Sequence, residues 1–313
     1  MTLLGAPVSL AFYAAHSTTS APGDLAHHYA GLPRDPARLA RITRDLLIHR
    51  LEGGIFGHTV AVDRLHHDAE TRYIDDILRI VVARDEAPLT RRREPADRFV
   101  GVCRDFALLL CSFLRHMGVP ARIRSGFADY FGDSGFHCDH VVTEYWDEER
   151  GWLLADAQLA DPHLAGHWKI DFDPMDVPRD RFLVAGEAWR AIRTGAAAPE
   201  SFGLHPPEEG PMFGEWFVAG NIRLDLAALN KVETLLWDLW GEEADNDVWG
   251  PDGGRPEMPD PTRALYDRAA EVTSGEVSFD AVRRLFTEND SLRTPKTVLS
   301  LAPFNGPRHV TLR

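Results

Sequence analysis

The chain has 313 residues, 44% hydrophobic and 26% charged, enough to bury a substantial core in one large domain or two smaller ones. Lys and Arg total 34 against 48 Asp and Glu, a formal charge of −14, which makes nucleic acid and anionic membrane surfaces poor partners. The three cysteines, Cys103, Cys111 and Cys138, contain no CxxC pair and no even disulfide framework, which argues against a cysteine-type zinc site and for a reducing compartment.

No apolar run approaches the ~20 residues of a membrane helix. Leu3 to Ala15 is moderately apolar, but no Lys or Arg precedes it, and Tyr13, His16 and Ser17 interrupt the pattern. A cytoplasmic protein is expected. Pro36 to Leu51 carries Leu39, Ile42, Leu46 and Leu47 at helical spacing, with Asp35 as its cap and Pro36 at the first position. Thr71 to Val82 repeats the spacing with Ile74, Ile77, Leu78 and Val81. Glu86 to Arg98 reads as a loop, with Arg91-Arg92-Arg93 as a solvated run.

Cys103 to Met117 is the clearest helix: Phe106, Leu109, Leu110, Phe113, Leu114 and Met117 form one apolar face, and Gly118 and Pro120 stop it. A strand is expected over Ala121 to Phe131, then a Gly/Asp-rich loop to Asp139. Two strands follow, Val141 to Trp146 and Trp152 to Leu159, joined by a polar turn. Composition changes near residue 196. Pro206-Pro207, Gly210-Pro211 and Gly250 to Pro261 punctuate the remainder, and Leu224 to Trp240 reads as helical. These shifts divide the chain into residues 1–195 and a C-terminal extension, 196–313. Trp216, Trp237 and Trp240 are expected in a core or an interface patch.

A thiol, an imidazole and a carboxylate occur in the order of a nucleophilic acyl-transfer site: Cys103, His140 and Asp156. Cys103 sits at a helix start, where unpaired N–H groups favour thiolate over thiol and can donate to an oxyanion. Gly101 permits a close backbone approach beside it. If Tyr145 faces Gly151 in the hairpin, His140 lies directly opposite Asp156 and on the same face. A slip of one residue breaks that pairing.

His137 rivals His140. The run Phe136-His137-Cys138-Asp139-His140 has no second cluster at matching spacing, so no metal is expected. His27-His28 and His66-His67 read as surface pairs. Asp171 to Asp176 lacks the Gly and the distal Glu of a calcium loop. Cys111 reads as a core thiol, and Asp105 as a first-turn helix carboxylate.

Gly101-Val102-Cys103-Arg104-Asp105-Phe106-Ala107, Leu114 to Arg122, Ser125-Gly126-Phe127, His140 to Glu144 and Gly151-Trp152 to Asp156 resemble the core of the bacterial transglutaminase-like superfamily. The resemblance covers roughly residues 98 to 160. It implies an α+β, papain-like core in which the helix bearing the cysteine packs on an antiparallel sheet, with a helical N-terminal part and a C-terminal extension. It implies Cys103 as nucleophile, His140 as base and Asp156 as its orienter. Val141 and Val142 stand where members often carry an aromatic residue after the histidine, and no upstream oxyanion side chain is assigned.

The implied activity is cleavage or formation of amide bonds through an acyl-enzyme, without a cofactor. The partners are a peptide, amide or thioester acyl donor and an amine or water acceptor, with no nucleic acid and no membrane. A peptide N-glycanase-like deglycosylase is the enzyme alternative, and the absence of paired CxxC motifs counts against it. A catalytically inactive binding module is the other. Residues 196–313 are expected to cover the cleft and select the acyl donor.

Overall fold

Along the chain, the computed structural model contains α1 (Val8–Ala14), α2 (Pro36–Leu46), β1 (Leu47–His49), α3 (Val62–His67), α4 (Ile74–Arg84), β2 (Phe99–Gly101), α5 (Cys103–His116), β3 (Ala121–Ala128), β4 (His137–Asp147), β5 (Gly151–Ala155), α6 (Pro162–His167), β6 (Phe182–Val184), α7 (Ala185–Arg193), β7 (Phe202–Gly203), α8 (Glu215–Leu229), β8 (Asp238–Leu239), α9 (Asp260–Thr273), α10 (Phe279–Glu288), β9 (Thr297–Ala302) and β10 (Gly306–Thr311). Short 3-10 turns lie between them, among them Ala157–Ala160. The class is α+β, as the sequence leads one to expect. The structure describes residues 8–131, 135–204, 212–241, 244 and 257–313. The punctuation at 206–211 and 250–256, and residues 132–134 of the expected loop, lie outside the described residues. Contacts divide the chain into two units: the chain up to Ile123 with Val142–Pro178, and Arg124–Val141 with Arg179–Arg313.

In the first unit, Asp35 caps α2 by accepting from the Arg38 N–H at 2.8 Å, with Pro36 in the first turn. The helix ends at Leu46 rather than Leu51. Leu47 to His49 instead pair in parallel with Phe99 to Gly101, because fully buried Leu47 and Ile48 gain a strand partner that local periodicity does not reveal. The register sets His49 beside Gly101, two residues before Cys103. Helix α4 starts at Ile74, later than Thr71, and buries Ile74, Ile77, Leu78 and Val81 completely. Helix α5 is buried from Cys103 to Arg115, and Gly118 closes it at φ 81°, in the left-handed region.

The run Arg91 to Arg93 is not uniformly solvated. Arg93 is buried, and its guanidinium donates to the carbonyls of Asp85, Ala87, Pro88 and Arg91. Five fixed donors let one guanidinium organise a loop. Strands β4 and β5 form an antiparallel hairpin, and Asp147 Oδ1 closes the turn by accepting from the Glu149 and Arg150 N–H groups, both at 2.9 Å.

In the second unit, β4 begins at His137, four residues before the expected strand, because His137 and Cys138 pair in parallel with Phe202 and Gly203. Strand β3 ends at Ala128, and its last residues pair with β6. The helix expected over Leu224 to Trp240 is displaced: α8 runs from Glu215 to Leu229, and Asp238 and Leu239 pair with β9 in a sheet ordered β10-β9-β8. Asp238 Oδ2 accepts from the Leu235 N–H at 3.0 Å and builds the intervening turn. Trp189, Trp216 and Trp240 are core, packed with Phe127, Ile222 and Leu226; Trp237 is half-buried. Arg124 and Asp225 form a fully buried ion pair, with both guanidinium contacts at 2.9 Å.

Candidate active site

Cys103 is the first residue of α5 and 5% exposed. The chain enters the helix from extended Val102 (φ −118°, ψ 173°). Asp105 reaches back and accepts the Val102 N–H at 2.9 Å, which is half of a capping box; valine has no side-chain acceptor for the other half. Arg104 holds the same carboxylate at 3.0 Å and donates to the Arg72 carbonyl at 2.6 Å. Burial raises the Asp105 pKa, opposed by Arg104 and the Val102 N–H. Gly101 leaves the room this needs: a Cβ there would lie 2.8 Å from Asp105 Oδ2. The positive end of the helix is thus rigidly framed around Cys103.

Asp156 is buried directly after β5. Its N–H donates to the Pro174 carbonyl at 2.7 Å, and its Oδ1 accepts from the Gln158 N–H at 3.0 Å, capping the Ala157–Ala160 turn. The hairpin register differs from the expected one: Asp147 faces Gly151 and Thr143 faces Ala155. Continued by one residue, that register sets Asp156 opposite Val142, not His140. The offset is two residues because the turn is tighter than the one assumed. An even offset keeps side chains on their original face, whereas a single slip reverses them.

His140 is buried on β4. Phe131, Tyr130 and Phe182 frame its ring edge-on, with centroids at 4.8, 6.0 and 6.2 Å. The aromatic surround that the residues after the histidine do not provide therefore comes from the residues that follow β3 and from β6. His137 instead stacks on Phe202 at 4.8 Å, and its Nδ1 is buried without a hydrogen-bond partner among the described residues. Between them, burial pushes the Cys138 thiol up to about 12, helped by Asp139, so it stays protonated at neutral pH. Burial also raises Asp139 to about 7, opposed by His140 and a hydrogen bond from Asn221. The residue is half-exposed, but its Oδ1 has almost no solvent contact.

Within the first unit, α5 packs against the Ala157–Ala160 turn, so the Cys103 helix and the turn capped by Asp156 are neighbours. Thr143 Oγ1 donates to the Ala107 carbonyl at 2.9 Å and ties β4 to the second turn of α5. His140 belongs to the second unit, on the strand that continues into the first at Val142. Cys111 is fully buried on α5. A buried polar chain of Arg44, Glu52 and Gln158 lies behind Asp156. Nothing in the spacing of these residues announces it, because Glu52 and Gln158 are 106 positions apart. Among the described residues, no group of three or more His, Cys, Asp or Glu side chains could hold a metal ion, and no helix is long and apolar enough to cross a membrane.

A family model described as the transglutaminase-like superfamily matches residues 68–157, a span that includes Cys103, His140 and Asp156. No curated protein sequence matches the chain. The chain is also similar to the crystal structure of "a Putative Cysteine Protease from Cytophaga hutchinsonii", with 16% identity and a TM-score of 0.34 over 52% of this chain. The matched region is 46% of that structure, so the chain spans about half its length.

Proposed function

We propose that this chain, which carries a transglutaminase-like domain at residues 68–157, is a cysteine enzyme that moves acyl groups through a thioester intermediate. The observation that carries the reading is Cys103 at the start of a buried helix, inside the matched span, with Gly101 and Asp105 built around it. The Cys103 thiolate attacks the carbonyl of an amide or thioester donor. The tetrahedral intermediate collapses, the C–N or C–S bond breaks, and His140 gives its proton to the departing amine or thiol. Water or an amine then attacks the acyl-enzyme and yields its proton to His140, and the Cys103 thiolate leaves. Asp156 holds the imidazole tautomer.

Hydrolysis and transamidation share the first half-reaction and differ in the second nucleophile. Residues 196–313 are proposed to select the donor. Mass spectrometry of the intact full chain with candidate amides, thioesters and esters tests the reading. An acyl adduct on Cys103, absent from Cys103→Ala, is the expected result. No adduct from any donor class, with Cys103 unmodified, contradicts it.

A further inference from the structure

We propose that Gln158, backed by Glu52 and Arg44, is a positioning residue for Asp156. The inference rests on the reading of Asp156 as the carboxylate that orients His140. The Gln158 N–H donates to Asp156 Oδ1 at 3.0 Å. Gln158 Nε2 donates to Glu52 Oε1 at 2.6 Å. Glu52 Oε2 pairs with Arg44 Nη2 at 2.8 Å and accepts from the His49 N–H at 3.4 Å. Arg44 is held in turn: it donates to the Leu47 carbonyl at 3.1 Å, and its guanidinium lies 4.7 Å from the Phe56 ring centre and 5.3 Å from that of Phe106. All of these residues belong to the first unit.

Packing alone does not account for the chain. Two carboxylates, Glu52 and Asp156, are buried on either side of Gln158. Burial and the Asp156 charge both raise the Glu52 pKa, against the pull of Arg44 and Gln158. A neutral amide between them supplies one donor to each: the side-chain N–H to Glu52 and the backbone N–H to Asp156. Its Oε1 is buried without a hydrogen-bond partner among the described residues, a cost that an apolar side chain of equal size avoids. Without the amide, the Ala157–Ala160 turn loses its anchor on Glu52. Asp156 then loses its fixed rotamer, and the imidazole it orients loses its tautomer.

The test is the pH profile of Cys103 alkylation by iodoacetamide in the full chain, for wild type, Gln158→Leu, Gln158→Glu and Asp156→Ala, with thermal unfolding measured beside it. Q158L is expected to slow alkylation near pH 6 about five-fold, the loss equivalent to one net buried hydrogen bond, and to shift the acid limb upward. Burial between two carboxylates raises the pKa of the carboxyl that Q158E introduces, so in acid it donates to Glu52 as the amide does and loses the proton as pH rises. It is expected to match wild type in acid and to approach Q158L near pH 8. Wild-type profiles for both variants, with D156A slowed, overturn the proposal while the functional reading stands. A wild-type profile for D156A overturns the functional reading itself. If Q158L does not fold, the acid-to-alkaline change in Q158E decides alone.

Discussion

Gly101 and Asp105 are a matched pair: the space that a Cβ on Gly101 would fill is occupied by the Asp105 carboxylate, 2.8 Å away at Oδ2 and 3.0 Å away at Cβ. The carboxylate sits there to accept the Val102 N–H and to hold Arg104, so the glycine serves the helix start that carries Cys103. Gly101→Ala forces the carboxylate out of its position. The expected loss is ~1–3 kcal/mol, typical of overpacking a filled core. Urea unfolding measures it, and an unchanged midpoint contradicts the pairing.

Asp105→Ala removes a cap and leaves the Arg104 guanidinium, 1% exposed, beside no carboxylate at that position. Breaking one side of a buried charge pair costs about 3–5 kcal/mol. Asp105→Asn keeps the acceptor for the Val102 N–H and is expected to fall between wild type and the alanine variant. Equal unfolding midpoints for D105N and D105A would show that the cap contributes nothing.

The second unit has its own buried pair in Arg124 and Asp225, where Asp225 Oδ1 also accepts the Ser125 N–H at 3.0 Å. Asp225→Ala is expected to destabilise by about 3–5 kcal/mol, since it strands the Arg124 charge and a strand N–H together. Calorimetry reads this as a lowered transition temperature. A shift within error of wild type contradicts the assignment.

Asp139 makes stability depend on pH in a direction opposite to that of a salt-bridged aspartate. Its folded pKa is raised to about 7, from an ordinary 3.8. Between those values the native state holds a proton that the unfolded chain has released, so stability falls as pH rises from about 4 to about 7 and is level above. Asp139→Asn removes the ionisation. D139N is expected to match wild type near pH 4 and to unfold at least ~2 °C higher at pH 8, the shift for roughly 1 kcal/mol in a chain of this size. A constant gap at all pH values contradicts the buried carboxyl.

Element boundaries are readable in the sequence wherever the signal is local. Asp35 and Pro36 start their helix, Gly118 stops α5, and Cys103 stands first in that helix, because caps and apolar periodicity are encoded within a few positions. Features set by distant partners were not readable. Leu47 to His49 leave a helical pattern to pair with β2, and His137 and Cys138 join a strand because residues 202–203 are available to them. The hairpin register depended on whether Tyr145 or Asp147 faced Gly151, and the sequence of the turn suits both. Arg93 shows the same limit, since only the folded loop supplies the carbonyls that bury it.

The most direct test of the account is the reactivity of the three thiols toward iodoacetamide near pH 6, followed by peptide mass spectrometry of the full chain. Cys103 at the positive end of α5 is expected to be modified first, at least ~10 times faster than a free thiol. Cys138, held protonated by burial, and fully buried Cys111 stay unmodified over the same interval. Cys103 reacting no faster than a free thiol, with acyl transfer unchanged in Cys103→Ala, contradicts the assignment of this cysteine as the nucleophile.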